Sequence, residues 1–218
     1  MIFIEPTRYG TGITLWGDPF DLDHIRDTIY ACADETIWGE PVAFYLLALA
    51  YDIRHACQGD RLEKQFGMDE EDTVTYRGVR ILWPYFLVQL GFLRKAAGYI
   101  PTTKAQQADI YRLEYETENA LITYDASVGQ KCVDLISIAG DLNPDYLTAF
   151  ISVRTREFLS EAKPGKARFR KLPALLKNLH SSSSQYHQFK THLQMIADEQ
   201  GCEPFQLADQ GEWPEFKW

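Results

Sequence analysis

Apolar and polar positions alternate along the first seventeen residues. Ile2 and Ile4 alternate with Phe3 and Glu5, and Ile13 and Leu15 alternate with Thr14 and Trp16. A period of two marks strands, and Pro6 to Gly12, with two glycines, is turn material, so a β-hairpin is expected here. After Asp18-Pro19 the period changes. Leu22, Ile25, Ile29 and Cys32 or Ala33 recur at helical spacing, with Asp21 as the expected N-cap. A second helix is expected from near Pro41 to Gly59, with proline in its first turn and glycine past its end. Val42 to Tyr51 is apolar nearly all round, which predicts a central helix. Only its last turn is polar.

Gly67 to Asp72 reads as an acidic loop. Thr73 to Leu82, rich in β-branched and aromatic residues, reads as a strand or hairpin returning to the N-terminal sheet. Trp83-Pro84 opens a helix to Ala97, and its apolar run is interrupted by Gln89 and Arg94. Beyond Gly98 the pattern is helical. Thr103 and Gln106 form a capping box for a helix that reaches Asp125 or continues past Gly129 to Ala139. Ala108, Tyr111, Tyr115 and Ile122 make one stripe; Val128, Cys132, Leu135 and Ala139 make another. Asn143-Pro144-Asp145 starts a helix to about Glu161, with Leu147, Phe150, Ile151 and Phe158 inward. A short helix is expected after Pro173, then a last one capped by Ser184, carrying Tyr186, Phe189, Leu193, Ile196 and Ala197, and stopped by Gly201. The apolar tail, with Phe205, Leu207, Trp213, Phe216 and Trp218, is expected to pack back on the body, the alternative being contact with a partner. The predicted fold is α+β and predominantly helical. A small N-terminal antiparallel sheet packs on helices and a helical bundle follows. Residues 1–98 would be the α+β part and 99–218 the helical part, unless the two are one continuous domain.

Composition narrows the class. With 218 residues, 45% apolar and 24% charged, the chain is neither disordered nor low-complexity. It is long enough to bury a core without disulfides. Cys32, Cys57, Cys132 and Cys202 are scattered, with no CxxC and no Cys/His spacing, so they read as reduced thiols rather than metal ligands. The apolar start is too short for a signal peptide, and the longest apolar run, Val42 to Tyr51, is too short to span a bilayer. A cytoplasmic protein with no membrane contact is therefore expected.

The net charge of −9 argues against a generic nucleic-acid coat. Its distribution changes that picture. Residues 1–161 carry a net −11, residues 162–197 hold seven basic residues and no acid, and residues 198–218 carry a net −5. The densest basic part is Lys163, Lys166, Arg168, Arg170 and Lys171, interleaved with Phe169. Such donors suit phosphate oxygens, and an aromatic among them could stack a base. Neutralisation of the acidic body or tail of the same chain is the plainer reading, and contact with an acidic protein is a third.

Candidate chemistry is sparse. Asp52, Arg54, His55, Asp60 and Arg61 cluster around the end of the second helix. Asp52 and His55 are three apart, so they share a face and could pair for general-base work. No nucleophile motif accompanies them, and a helix terminus with local ion pairs explains the same residues. His187 and His192 are five apart and point different ways round a helix, so they make no metal face. Gly10-Thr11-Gly12 lies between strands and is no dinucleotide fingerprint. Glu114, Glu116 and Glu118 read as a solvated face. No metal, cofactor or catalytic residue is implied.

Three blocks carry a resemblance: Gly10-Thr11-Gly12-Ile13-Thr14-Leu15-Trp16-Gly17-Asp18; then Tyr51 with Arg54-His55-Ala56 and Gln58-Gly59; then Tyr76, Gly78 and Ile81-Leu82-Trp83-Pro84. They resemble a small bacterial domain family of unknown function, over about the first 125 residues. No activity or site residue follows from that resemblance. The expected function is a non-enzymatic cytoplasmic protein that binds another protein, with a second copy of itself among the candidates, of an immunity-like or defence-accessory class. The alternative is a nucleic-acid-binding protein that uses residues 163–190. A hydrolase or transferase centred on His55 is the third possibility.

Overall fold

The computed structural model describes residues 1–66, 73–139, 141–161, 163–207 and 211–218. The acidic loop read at 67–72 lies outside the described residues. The N-terminal hairpin forms as β1 (Phe3–Pro6) and β2 (Gly12–Gly17), followed by α1 (Pro19–Asp34) and α2 (Glu40–Cys57). Strands β3 (Leu62–Phe66) and β4 (Val74–Leu82) complete a four-stranded antiparallel sheet in the order β1-β2-β4-β3. Every residue of β2 is buried, as a central strand covered by helices requires. Gly78 on β4 pairs with Trp16 on β2. A Cβ at Gly78 would lie 2.4 Å from the Trp16 ring, so only glycine lets the indole lie flat across the sheet.

Strand β3 has no counterpart in the sequence reading. Its sequence, Leu-Glu-Lys-Gln-Phe, is polar because it is an edge strand with four of its five residues exposed. Helix α1 also starts earlier than expected. Asp18, not Asp21, is the cap: its carboxylate accepts from the Phe20 and Asp21 amides at 3.0 and 2.9 Å. Pro19 fills the first helical position, where no amide hydrogen is needed.

The helical part comprises α3 (Trp83–Ala97), α4 (Lys104–Tyr124), α5 (Ala126–Ala139), α6 (Pro144–Glu161), α7 (Lys166–Phe169), α8 (Leu172–Leu179) and α9 (Ser184–Gln200). The capping box of Thr103 and Gln106 is present. Asp125 breaks α4 from α5, and its side chain accepts from the Val128 amide at 3.3 Å. Ser183, one residue before the expected Ser184, caps α9. A connected cluster of buried apolar side chains runs from Ile2 on the sheet through α3 to Leu193 on α9.

Two apolar stripes face differently from their periodicity. Tyr111, Tyr115 and Ile122 on α4 are exposed, while Ile110, Leu113, Thr117, Ala120 and Leu121 face the core. Both sets follow the helical period. The aliphatic set wins the interior, and Tyr111 instead lies under the Arg94 guanidinium at 4.4 Å. On α2, Val42, Leu46, Leu49 and Ile53 are buried, but Phe44 and Tyr51 are 72% and 55% exposed. The helix is central on one side only.

Candidate functional site

The basic segment is docked onto the β1–β2 loop. The Gly165 amide donates to the Tyr9 carbonyl at 2.7 Å, and Gly10 approaches Gly165 so closely that a Cβ would meet the Gly165 oxygen at 2.5 Å. Arg168 is only 3% exposed, donating to Thr11 Oγ1 at 3.1 Å and to the Leu159 carbonyl at 2.9 Å. Burial pulls its guanidinium below the usual arginine range. Phe169 is fully buried, edge-on to Trp83 and Tyr124 at 5.9 and 4.8 Å. Neither residue can stack or pair with a nucleic acid without leaving the core. Arg170 is exposed and pairs with Asp125 at 3.4 Å. Lys163, Lys166 and Lys171 are exposed.

The cluster at the end of α2 pairs differently from expectation. His55 Nδ1 lies 3.0 Å from Asp60 Oδ2, while Asp52 Oδ1 faces Arg61 at 3.5 Å. The turn after Gly59, which has φ +82°, swings Asp60 back over the helix end and gives His55 a partner outside its own helix. Tyr51 meets the imidazole edge-on at 4.5 Å. Arg54 is exposed. Burial pushes the Asp52 carboxyl above its ordinary value, and Arg61 and His55 pull it back down.

Beside this cluster lies a cleft of about 400 Å³. Helix α2 supplies Ala48 and Asp52, β4 supplies Arg80, Ile81 and Leu82, and α3 supplies Tyr85 and Gln89. The C-terminal tail forms the remaining wall with Trp213, Phe216 and Trp218. The Tyr85 and Trp213 rings are 6.3 Å apart, and the Arg80 guanidinium sits 6.0 Å from the Trp218 ring. A second hollow of about 430 Å³ shares Asp52, Arg80 and Trp218 and adds Asp60 and Arg61. Of the sequence-selected residues, the fold brings Asp52, Asp60 and Arg61 to this place. Arg80, Tyr85 and the tail aromatics were not selected as site residues. The available signals were Gln89, a polar interruption in the apolar first part of α3, and the aromatic tail expected to pack back on the body.

The exposed side of α2 borders the cleft. Phe44 and Tyr51 are two turns apart on that side, with Ala48 between them. Ile37, 64% exposed, stands before the helix, and Asp34, Glu35 and Glu40 around it are exposed acids. Asp34 ends α1 and Glu35 caps it, with no basic residue in the last turn. Asp34 and Glu35 lie at the negative end of α1, an unfavourable place for carboxylates, whereas Glu40 lies at the positive end of α2.

Among the described residues, no group of His, Cys, Asp and Glu could hold a metal ion, and no helix is long and apolar enough to cross a membrane. A family model, a domain of unknown function (DUF6904), matches residues 2–218. The similarity thus extends past the first 125 residues to the basic segment and the tail. No curated protein and no solved structure matches the chain.

Proposed function

The chain belongs to the DUF6904 family, and from that premise we propose that it is a binding protein that docks a basic protein partner on the corner formed by the end of α1 and the outer side of α2. The exposure of Phe44 at 72%, on a strongly apolar helix, carries this reading. A helix whose sequence asks for burial all round, yet whose one side is bare, is where local pattern and fold disagree. Such places are commonly functional. Asp34, Glu35 and Glu40 around Ile37 and Phe44 select a partner that combines apolar and cationic side chains.

A cytoplasmic setting is part of the proposal. The four cysteines stand as free thiols, which a reducing compartment preserves. A bacterial origin and an immunity-like or defence-accessory class also belong to the proposal. The nucleic-acid alternative is less well supported, because Arg168 and Phe169 are committed to the core and leave Lys163, Lys166, Arg170, Lys171, Lys177 and Lys190 as its exposed donors.

The test uses an amphipathic helical peptide of lysine and leucine as probe. Saturable binding is expected, weakened at least tenfold by Phe44→Ser or by D34K/E35K/E40K and left intact by K163E/K166E/K171E. Binding that ignores the α1–α2 changes, or no binding at low salt, overturns the reading. A shift of DNA or RNA abolished by the lysine variant alone would favour the alternative.

A further inference from the structure

We propose that the cleft between α2, α3, β4 and the C-terminal tail is a nucleoside-binding site, independent of the protein-docking corner. The argument begins with Gln89. It is 3% exposed, and its Nε2 donates to the Tyr45 carbonyl at 3.2 Å. That bond fixes the orientation of the amide, because only the nitrogen can donate to a carbonyl. Its Oε1 is then a buried acceptor with no hydrogen-bond partner among the described residues. An unmet buried acceptor is destabilising, and leucine at this position would avoid that cost. The glutamine stands on the wall of the cleft, and a ligand N–H that reached this oxygen from the cleft would satisfy it.

The walls define the rest of the ligand. Tyr85, Trp213 and Trp218 offer flat faces, and a volume of about 400 Å³ lies in the usual range for small-molecule sites. A planar heteroaromatic ring with an exocyclic or ring N–H fits both the walls and the Gln89 oxygen. The mouth is polar and balanced in charge. Asp52, Asp60, Arg61 and Arg80 line the adjoining hollow, where Asp52 pairs with Arg61 at 3.5 Å and Asp60 with His55 at 3.0 Å. Such a mouth disfavours a strong anion or cation. It suits vicinal hydroxyls, which donate to a carboxylate and accept from a guanidinium. A base joined to a sugar has that arrangement.

The experiment compares adenosine with purine riboside, which has the same ring and sugar but no N–H on the base. Binding to the full chain is followed by calorimetry and by tryptophan fluorescence, with guanosine, cytidine, uridine and indole as further probes. Adenosine is expected to bind saturably and at least tenfold more tightly than purine riboside. Gln89→Leu should remove that difference. The comparison in the unaltered protein decides the matter even if the variant does not fold. No saturable nucleoside binding up to about millimolar concentration, equal affinity for adenosine and purine riboside, or indole binding as tightly as adenosine overturns the proposal. Equal affinity for adenosine and purine riboside would mean that no ligand N–H reaches the Gln89 oxygen, and tight indole binding that the sugar contributes nothing.

Discussion

The Arg168 guanidinium donates to the Thr11 hydroxyl at 3.1 Å, across 157 positions of chain. The same hydroxyl donates to the Lys217 carbonyl at 2.6 Å. Thr11 therefore joins the hairpin turn, the basic segment and the tail. The positive charge that most suggested phosphate binding is a buried brace.

This brace predicts a stability phenotype. Arg168→Met should destabilise the protein by about 2–4 kcal/mol, because it leaves the Leu159 carbonyl and Thr11 without their donor. Thr11→Val should lose about 1–2 kcal/mol. The double variant should fall short of the sum by about 0.5 kcal/mol or more in urea melts, since the two residues share a bond. Additive losses would show that the contact is energetically idle.

Gly78→Ala should be destabilising by about 1–3 kcal/mol, through overpacking against Trp16. Trp16→Leu in the same background should recover part of the loss, which thermal melts of the four proteins would reveal.

Thr103→Ala removes the side chain that accepts from the Gln106 amide at 3.2 Å. A loss of about 1 kcal/mol is expected, with fraying at the start of α4 visible as faster amide exchange there.

Alkaline pH should weaken the fold through two thiols. Burial pushes Cys32 up to about 11 and Cys132 up to about 12, from an ordinary 9.0. Folded pKa values above the unfolded ones mean that this stability is fully present below pH 9. It declines as the unfolded chain ionises first, across the window from about pH 9 to about pH 12. C32A/C132A should flatten the decline in denaturant midpoints measured across that window. A thiol reagent at neutral pH should modify Cys57 and Cys202, which are partly exposed, well before the buried pair.

The alternation of Ile2 and Ile4, the caps at Thr103 and Asn143 and the glycine at 201 made most elements legible, because each is a local signal. Strand β3 was illegible because an edge strand needs no apolar face, and Lys64 serves there by lying 4.7 Å from the Phe66 ring. Periodicity located the α4 helix but not its inner face, since two stripes competed and only packing chooses between them. For the candidate site, charge density drew attention to residues 163–171, while the cleft depends on β4, α3 and the tail meeting. No local pattern announces such a meeting. Gln89 and the aromatic tail hinted at it.

The bond between Thr11 and the Lys217 carbonyl spans 206 positions, so it also carries a temporal order. During synthesis, the hairpin turn emerges first, and its hydroxyl must wait for a partner 206 positions later. Closing so long a loop is entropically slow. Locking this corner is therefore a late step of folding. Until then Trp83, which Phe169 covers in the finished fold, awaits its lid. That interval is when a chaperone would have the most to hold.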